Sequence, residues 1–99
     1  MDANGYNPSV MQVELTHCYL CKRTDGKLDR HEVFHGAYRK KAKKYGLWVM
    51  LCHDGCHLNG VHRHAQIDRI LKERGQSAAM REYGWDTEDF IREFGKNYL

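Results

Sequence analysis

Apolar positions along the chain change rhythm several times, and each change predicts an element. Val10, Val13 and Leu15 mark a short strand or extended arm after a polar opening over residues 1–8. Thr24-Asp25-Gly26-Lys27 is a turn signal. Leu28 to Phe34 then alternates as a strand, with Arg30, Glu32 and Phe34 expected on one face and His31, Val33 and His35 on the other. Gly36 to Gly46 reads as a basic connection. The run Leu47-Trp48-Val49-Met50-Leu51 is apolar without interruption and predicts a second strand, buried on both faces. From Asn59 the period becomes helical: Ile67, Ile70 and Leu71 recur three and four positions apart, with Asp68, Arg69, Lys72 and Glu73 between them. Asn59 or Gly60 would cap this helix and place His62 in its first turn. Gly75 is expected to interrupt it before Ala78, Ala79 and Met80, and Gly84 to end that stretch. Asp86 or Thr87 caps a last short helix carrying Phe90, Ile91 and Phe94.

The expected product is one α+β domain over residues 10–99 behind a flexible lead over 1–9. With 99 residues, a chain buries only about 60–70% of its unfolded surface, so the core is thin and a structural metal would help it. Met1 is followed by Asp2, Asn4, Gly5, Asn7 and Pro8 rather than by an apolar signal segment, which favours the cytosol, where thiols stay reduced. No stretch approaches the roughly 18 apolar residues of a membrane span, so a soluble protein with no membrane partner is expected.

Four cysteines form two close pairs, Cys18-x-x-Cys21 and Cys52-x-x-x-Cys56. Such pairs are the usual source of a tetrahedral thiolate site, and a structural Zn²⁺ on Cys18, Cys21, Cys52 and Cys56 is the expected occupant. Inert core thiols are the alternative, as is replacement of one thiol by His53. Redox chemistry at Cys18-x-x-Cys21 is disfavoured because no βαβ pattern surrounds it.

The chain also holds seven histidines. His31 on a strand, His57 just past the second pair and His62 near the helix start can converge at the junction of hairpin and helix. Three imidazole lone pairs would leave open positions for water and a phosphate oxygen. Net charge is only +3, but it is uneven. Arg39, Lys40, Lys41, Lys43 and Lys44 crowd the middle, while Asp86, Glu88, Asp89 and Glu93 lie near the end, as for a surface that meets phosphate on one side.

The order Cys-x-x-Cys, then His31-Glu32-Val33-Phe34, then Leu51-Cys52 through Cys56-His57 to Gly60-Val61-His62, resembles the HNH endonucleases, specifically small phage and prophage members. The tail Phe90-Ile91-Arg92-Glu93-Phe94-Gly95-Lys96-Asn97-Tyr98-Leu99 looks like the ending of those proteins. The resemblance implies a ββα-metal fold with a separate four-cysteine zinc knuckle and additional C-terminal helices. It also implies His31, His57 and His62 as ligands of a catalytic divalent ion, in the cytoplasm of a bacterial host. Many members carry a histidine base after the first ligand, where this chain has Glu32. The asparagine that usually precedes the second strand is replaced by Gly46-Leu47. Glu32, His35 and His31 itself are therefore the candidate catalytic bases.

The function so implied is metal-dependent hydrolysis of DNA phosphodiester bonds. Mg²⁺ or Mn²⁺ is the expected ion, with Ni²⁺ or Zn²⁺ also accepted by imidazoles. Arg39, Lys40, Lys41, Lys43, Lys44 and Arg63 would contact the phosphate backbone without reading sequence. The rival is a zinc-ribbon-like module that binds nucleic acid or a phage protein without cutting it. A disulfide-stapled secreted domain ranks last. Tyr83, Trp85 and Tyr98, expected on the surface, leave room for a homodimer.

Overall fold

The computed structural model describes residues 4–99, and within them the chain forms a small α+β unit. In chain order it comprises strand β1 (Leu28–Glu32), a 3₁₀ turn (Gly36–Tyr38), helix α1 (Arg39–Tyr45) and strand β2 (Trp48–Cys52). A π-helical segment (His53–Val61) and helices α2 (Ala65–Tyr83) and α3 (Thr87–Phe94) follow. The two strands pair antiparallel, with Leu28 opposite Cys52, His31 opposite Val49 and Glu32 opposite Trp48. The hairpin therefore fixes His31 relative to the second cysteine pair.

β2 is buried along almost its whole length, as its apolar run predicts. β1 stops at Glu32, two residues short of the expected end, and Val33 and Phe34 are both buried as the chain turns away. The regular face assignment fails there, because pleating ends where the strand does. The expected basic loop is a 3₁₀ turn and a helix, with Ala42 buried and Lys43 and Lys44 in its last turn, where cations suit the helix dipole. It ends at Gly46, whose φ is 71° and whose missing Cβ makes room for the Pro8 carbonyl oxygen.

That contact belongs to a strap. Residues 1–3 of the expected lead lie outside the described residues, but from residue 4 the segment folds back over α1 and β2. The Asn7 amide donates to the Lys43 carbonyl at 3.0 Å, the Val10 amide to that of Gly46 at 2.9 Å, and Trp48 Nε1 to that of Asn7 at 2.8 Å. Ser9 Oγ donates to the Trp48 carbonyl at 2.6 Å, and Gln12 Oε1 accepts from the Met50 amide at 2.8 Å. Residues 10–15 accordingly form no strand, and Val13 and Leu15 are exposed. Side chains from the strap satisfy the outer edge of β2, which would otherwise present unpaired backbone groups.

α2 starts at Ala65 with His64 as its N-cap, later than the sequence period implies, so His62 precedes the helix. It runs through Gly75 without a break, because that glycine is a packing site. A Cβ there would lie 3.0 Å from a Phe34 ring carbon and 3.2 Å from a Val33 methyl. α3 begins at Asp86 with a full capping box to Asp89. Its Phe90 and Phe94 rings sit 5.4 and 4.7 Å from that of Phe34, and Tyr98 lies 5.5 Å from it. Buried Gln76 holds the C-terminal tail, accepting from the Tyr98 amide at 2.7 Å and donating to Asn97 Oδ1 at 2.8 Å. Among the described residues, no helix is long and apolar enough to cross a membrane.

A candidate metal centre beside a cationic cleft

The four cysteine sulfurs converge on one corner, close enough together to share a single metal ion. All four thiols are free, Cys18 and Cys52 buried and Cys21 exposed. The first pair sits on a tight knuckle: the Lys22 amide donates to the Cys18 carbonyl at 3.0 Å, with Lys22 in the left-handed region at φ 67°. Cys52 Sγ lies 3.7 Å from Cys21 Sγ and accepts from the Cys56 amide at 3.2 Å. Burial pushes the Cys18 thiol up, but backbone N–H groups of Cys21, Cys52 and Leu20 outweigh it and lower the pKa to about 6. Cys56 is raised by burial and by the surrounding thiols, since sulfurs this close resist ionising together. A cation at their centre removes that conflict. His53 is not part of the convergent group at this corner; its Nδ1 lies 2.6 Å from Asp29 Oδ2.

A second group lies beyond the π-helical segment. Its i→i+5 pattern, seen in the 3.2 Å bond from the His62 amide to the His57 carbonyl, brings positions five apart into register. His57 and His62 therefore meet, with Nε2 atoms 3.0 Å apart, where an α-helix would have splayed them. His31 joins from β1, its ring 5.3 Å from that of His57 and 5.8 Å from that of His62. One nitrogen from each of the three falls within ligand-sharing distance of the others.

Two observations test whether these residues suit an ion. His31 Nε2 is buried with no hydrogen-bond partner among the described residues, an arrangement that normally costs about 1–3 kcal/mol unless something else uses the lone pair. His57 Nε2 and His62 Nε2 lie 3.0 Å apart, a hydrogen-bond length, so an ion held by both would take the place of the proton they share. The site also disfavours protons. Burial, then the charges of His57, His35 and His62, push the His31 pKa down to about 3. Burial and His57 lower that of His62 as well.

The imidazoles open on a cleft of about 480 Å³, lined also by Tyr6, Arg30, Glu32, His35 and Arg39. Glu32 lies 3.5 Å from Arg39 Nε. Tyr6 hydrogen-bonds Glu32; burial and that carboxylate raise the phenol to about 12. Arg30 is stacked 4.2 Å from the Tyr6 ring centre and 4.5 Å from that of Trp48. His35 Nε2 sits 3.3 Å from Asp68 Oδ1, and Lys72 Nζ lies 2.8 Å from Asp68 Oδ2.

The basic run does not form one continuous face. Arg39 faces the cleft, whereas Lys41 turns to α3 and donates to the Glu93 carbonyl at 3.0 Å. Lys43 lies over the Tyr6 ring and Lys44 over that of Tyr45, while Lys40 and Arg63 are exposed. Tyr83 is exposed as expected, while Trp85 and Tyr98 are half-buried; the rings of the first two also contact Tyr45 and that of the third contacts Phe34.

Sequence reasoning passed over Asp29, Asp68 and Tyr6. Asp29 was legible, since it lies two residues from His31 on the same pleat face and a carboxylate is the usual partner of a ligating histidine. Its Oδ2 accepts from His57 Nδ1 at 2.8 Å as well as from His53, leaving His57 Nε2 as the lone-pair nitrogen. Those two ring N–H groups overcome the effect of burial and lower the Asp29 pKa. Asp68 and Tyr6 arrive through tertiary folding and leave no local signal.

Set against family models, curated proteins and solved structures, the chain matches none.

Proposed function

We propose that the protein is a metal-dependent endonuclease of the HNH type, cutting DNA at phosphodiester bonds. The observation that carries this reading is the orphaned His31 Nε2, buried and facing His57 and His62 at the floor of an arginine-walled cleft. Arg39, paired with Glu32 at the rim, places a guanidinium on the same cleft as the three imidazoles, where a phosphate bound to the ion would sit.

His31, His57 and His62 hold a divalent ion, with Mg²⁺ or Mn²⁺ as the working ion although imidazoles bind Ni²⁺ or Zn²⁺ more tightly, and Cys18, Cys21, Cys52 and Cys56 hold structural zinc. When bound, the divalent ion supplies charge that neutralises the phosphate and the departing oxygen. Arg39 seats the scissile phosphate, held toward the cleft by Glu32. Lys40, Lys43, Lys44 and Arg63 add backbone contacts that give affinity without sequence choice. Among the candidate bases, His35 is the best placed. Asp68 takes its Nε2–H, so Nδ1 is free to accept a proton from the attacking water. Glu32 is already engaged by Tyr6 and Arg39, so its role is to orient them.

A supercoiled-plasmid nicking assay with Mg²⁺ or Mn²⁺ tests the assignment. Wild type nicks, His62→Ala does not, and His35→Ala is slowed roughly 10²–10⁴-fold, the span of one general base. Absence of cleavage by wild type, with salt-sensitive DNA binding intact, would instead establish the non-cutting zinc module.

A further inference from the structure

We propose that a metal in the thiolate cluster and an ion on His31, His57 and His62 bind cooperatively, coupled through Asp29 and the segment that carries ligands of both. The inference rests on the metal-site reading above and adds a regulatory relation between the two sites. Cys52, Cys56, His57 and His62 all lie on or at the ends of the π-helical segment, and Cys56 and His57 are adjacent. Fixing one set of ligands therefore fixes the backbone that presents the other.

The segment is closely wound and hydrogen-bonded where the two sets meet. Cys52 Sγ caps it by accepting the Cys56 amide at 3.2 Å, and the His53 amide donates to the Lys27 carbonyl at 2.9 Å. A Cβ on Gly55 would sit 3.1 Å from Cys52 Sγ, and one on Gly60 would sit 3.2 Å from the Gly55 carbonyl oxygen, so the turn leaves little room for side chains there.

Asp29 adds the second link. Its Oδ2 is 2.6 Å from His53 Nδ1 and 2.8 Å from His57 Nδ1. His53 follows Cys52 and His57 follows Cys56, so one oxygen registers the spacing of both cysteines. With the four sulfurs gathered at their corner, both ring N–H groups reach that oxygen, and His57 is held with its Nε2 lone pair turned toward His62. When the thiolate corner loosens, the two donors part and the lock on His57 goes with them. In this coupling Asp29 and His53 act as positioning residues, and with His57 they also form a group close enough together to hold an ion, the competing arrangement.

The test uses the full zinc-loaded chain and Mn²⁺ as the probe, with binding read from the loss of the free-Mn²⁺ EPR signal. Asp29→Ala should retain one zinc by elemental analysis yet bind Mn²⁺ roughly 10–100-fold more weakly, the usual effect of losing such a partner. Asp29→Asn, whose amide oxygen can still accept from His57, should recover part of that loss. A second measurement needs no variant. In competition with a zinc-selective chelator that leaves Mn²⁺ free, saturating Mn²⁺ should raise the apparent zinc affinity by the factor by which zinc raises that for Mn²⁺. Unchanged Mn²⁺ affinity in zinc-retaining Asp29→Ala, or zinc competition indifferent to Mn²⁺, overturns the coupling and leaves the nuclease reading standing. A wild type that binds no Mn²⁺ overturns both.

Discussion

Replacing Gly75 by alanine reverses a familiar sign. In the middle of a helix the change should stabilise by about 0.8–1 kcal/mol, because glycine is the poorer helix former. Here the new Cβ would meet a Phe34 ring carbon at 3.0 Å and a Val33 methyl at 3.2 Å, inside the ~3.5–4.0 Å optimum for carbon pairs. Phe34 cannot retreat, since the rings of Phe94, Phe90 and Tyr98 close it in, and Val33 is fully buried. Overpacking of this kind costs about 1–3 kcal/mol, which outweighs the propensity gain. The expected net loss is about 1 kcal/mol, or a Tm lower by roughly 4–8 °C for a domain of this size. The exposed Ser77 on the same helix provides the control, because Ser77→Ala should gain a few tenths of a kcal/mol from propensity alone. Thermal denaturation followed by circular dichroism measures both. If Gly75→Ala is as stabilising as Ser77→Ala, the packing argument is refuted.

Cys56→Ser should lose the thiolate-bound metal by elemental analysis and lower the Tm sharply, and a chelator should do the same to wild type; a chelator-resistant, reductant-sensitive fold would contradict this. Tyr45→Phe removes a 2.7 Å hydrogen bond to Glu93 Oε1, worth about 1 kcal/mol. That bond, with help from Lys41 and against the effect of burial, holds the Glu93 carboxyl below its ordinary 4.5. A depressed folded-state pKa stabilises above the unfolded value and fades as pH falls through the folded one. Urea titrations should therefore show the full Tyr45→Phe deficit at pH 7 and a shrinking one below about pH 4.5; a deficit independent of pH would exclude Glu93 as the partner.

What could be read in advance was set by local chemistry. The apolar run of β2, the close cysteine pairs and the Asp86 cap each act within a few residues, so their signal is in the string itself. The π-helical segment was not legible, since a helical period of 3.6 carries no hint that His57 and His62 meet through an i→i+5 turn. Gly75 looked like a breaker because its reason, the Phe34 ring, comes from a distant element. Residues 4–9 of the strap read as a polar lead because what holds them is hydrogen bonding to β2 and α1 and the contact of the Tyr6 ring with Trp48, neither of which leaves a hydrophobic period. The histidines were nameable as a set, but Asp68 beside His35 and Tyr6 against Glu32 exist only once the chain has folded.

The central claim is that three imidazole nitrogens share one divalent ion. Anomalous diffraction at the manganese edge, from crystals of the zinc-loaded chain grown with Mn²⁺, tests it most directly. One manganese peak is expected about 2.0–2.3 Å from a ring nitrogen of each of His31, His57 and His62. A cleft with no such peak at saturating Mn²⁺, or manganese held by Asp29 and His53 instead, would contradict it.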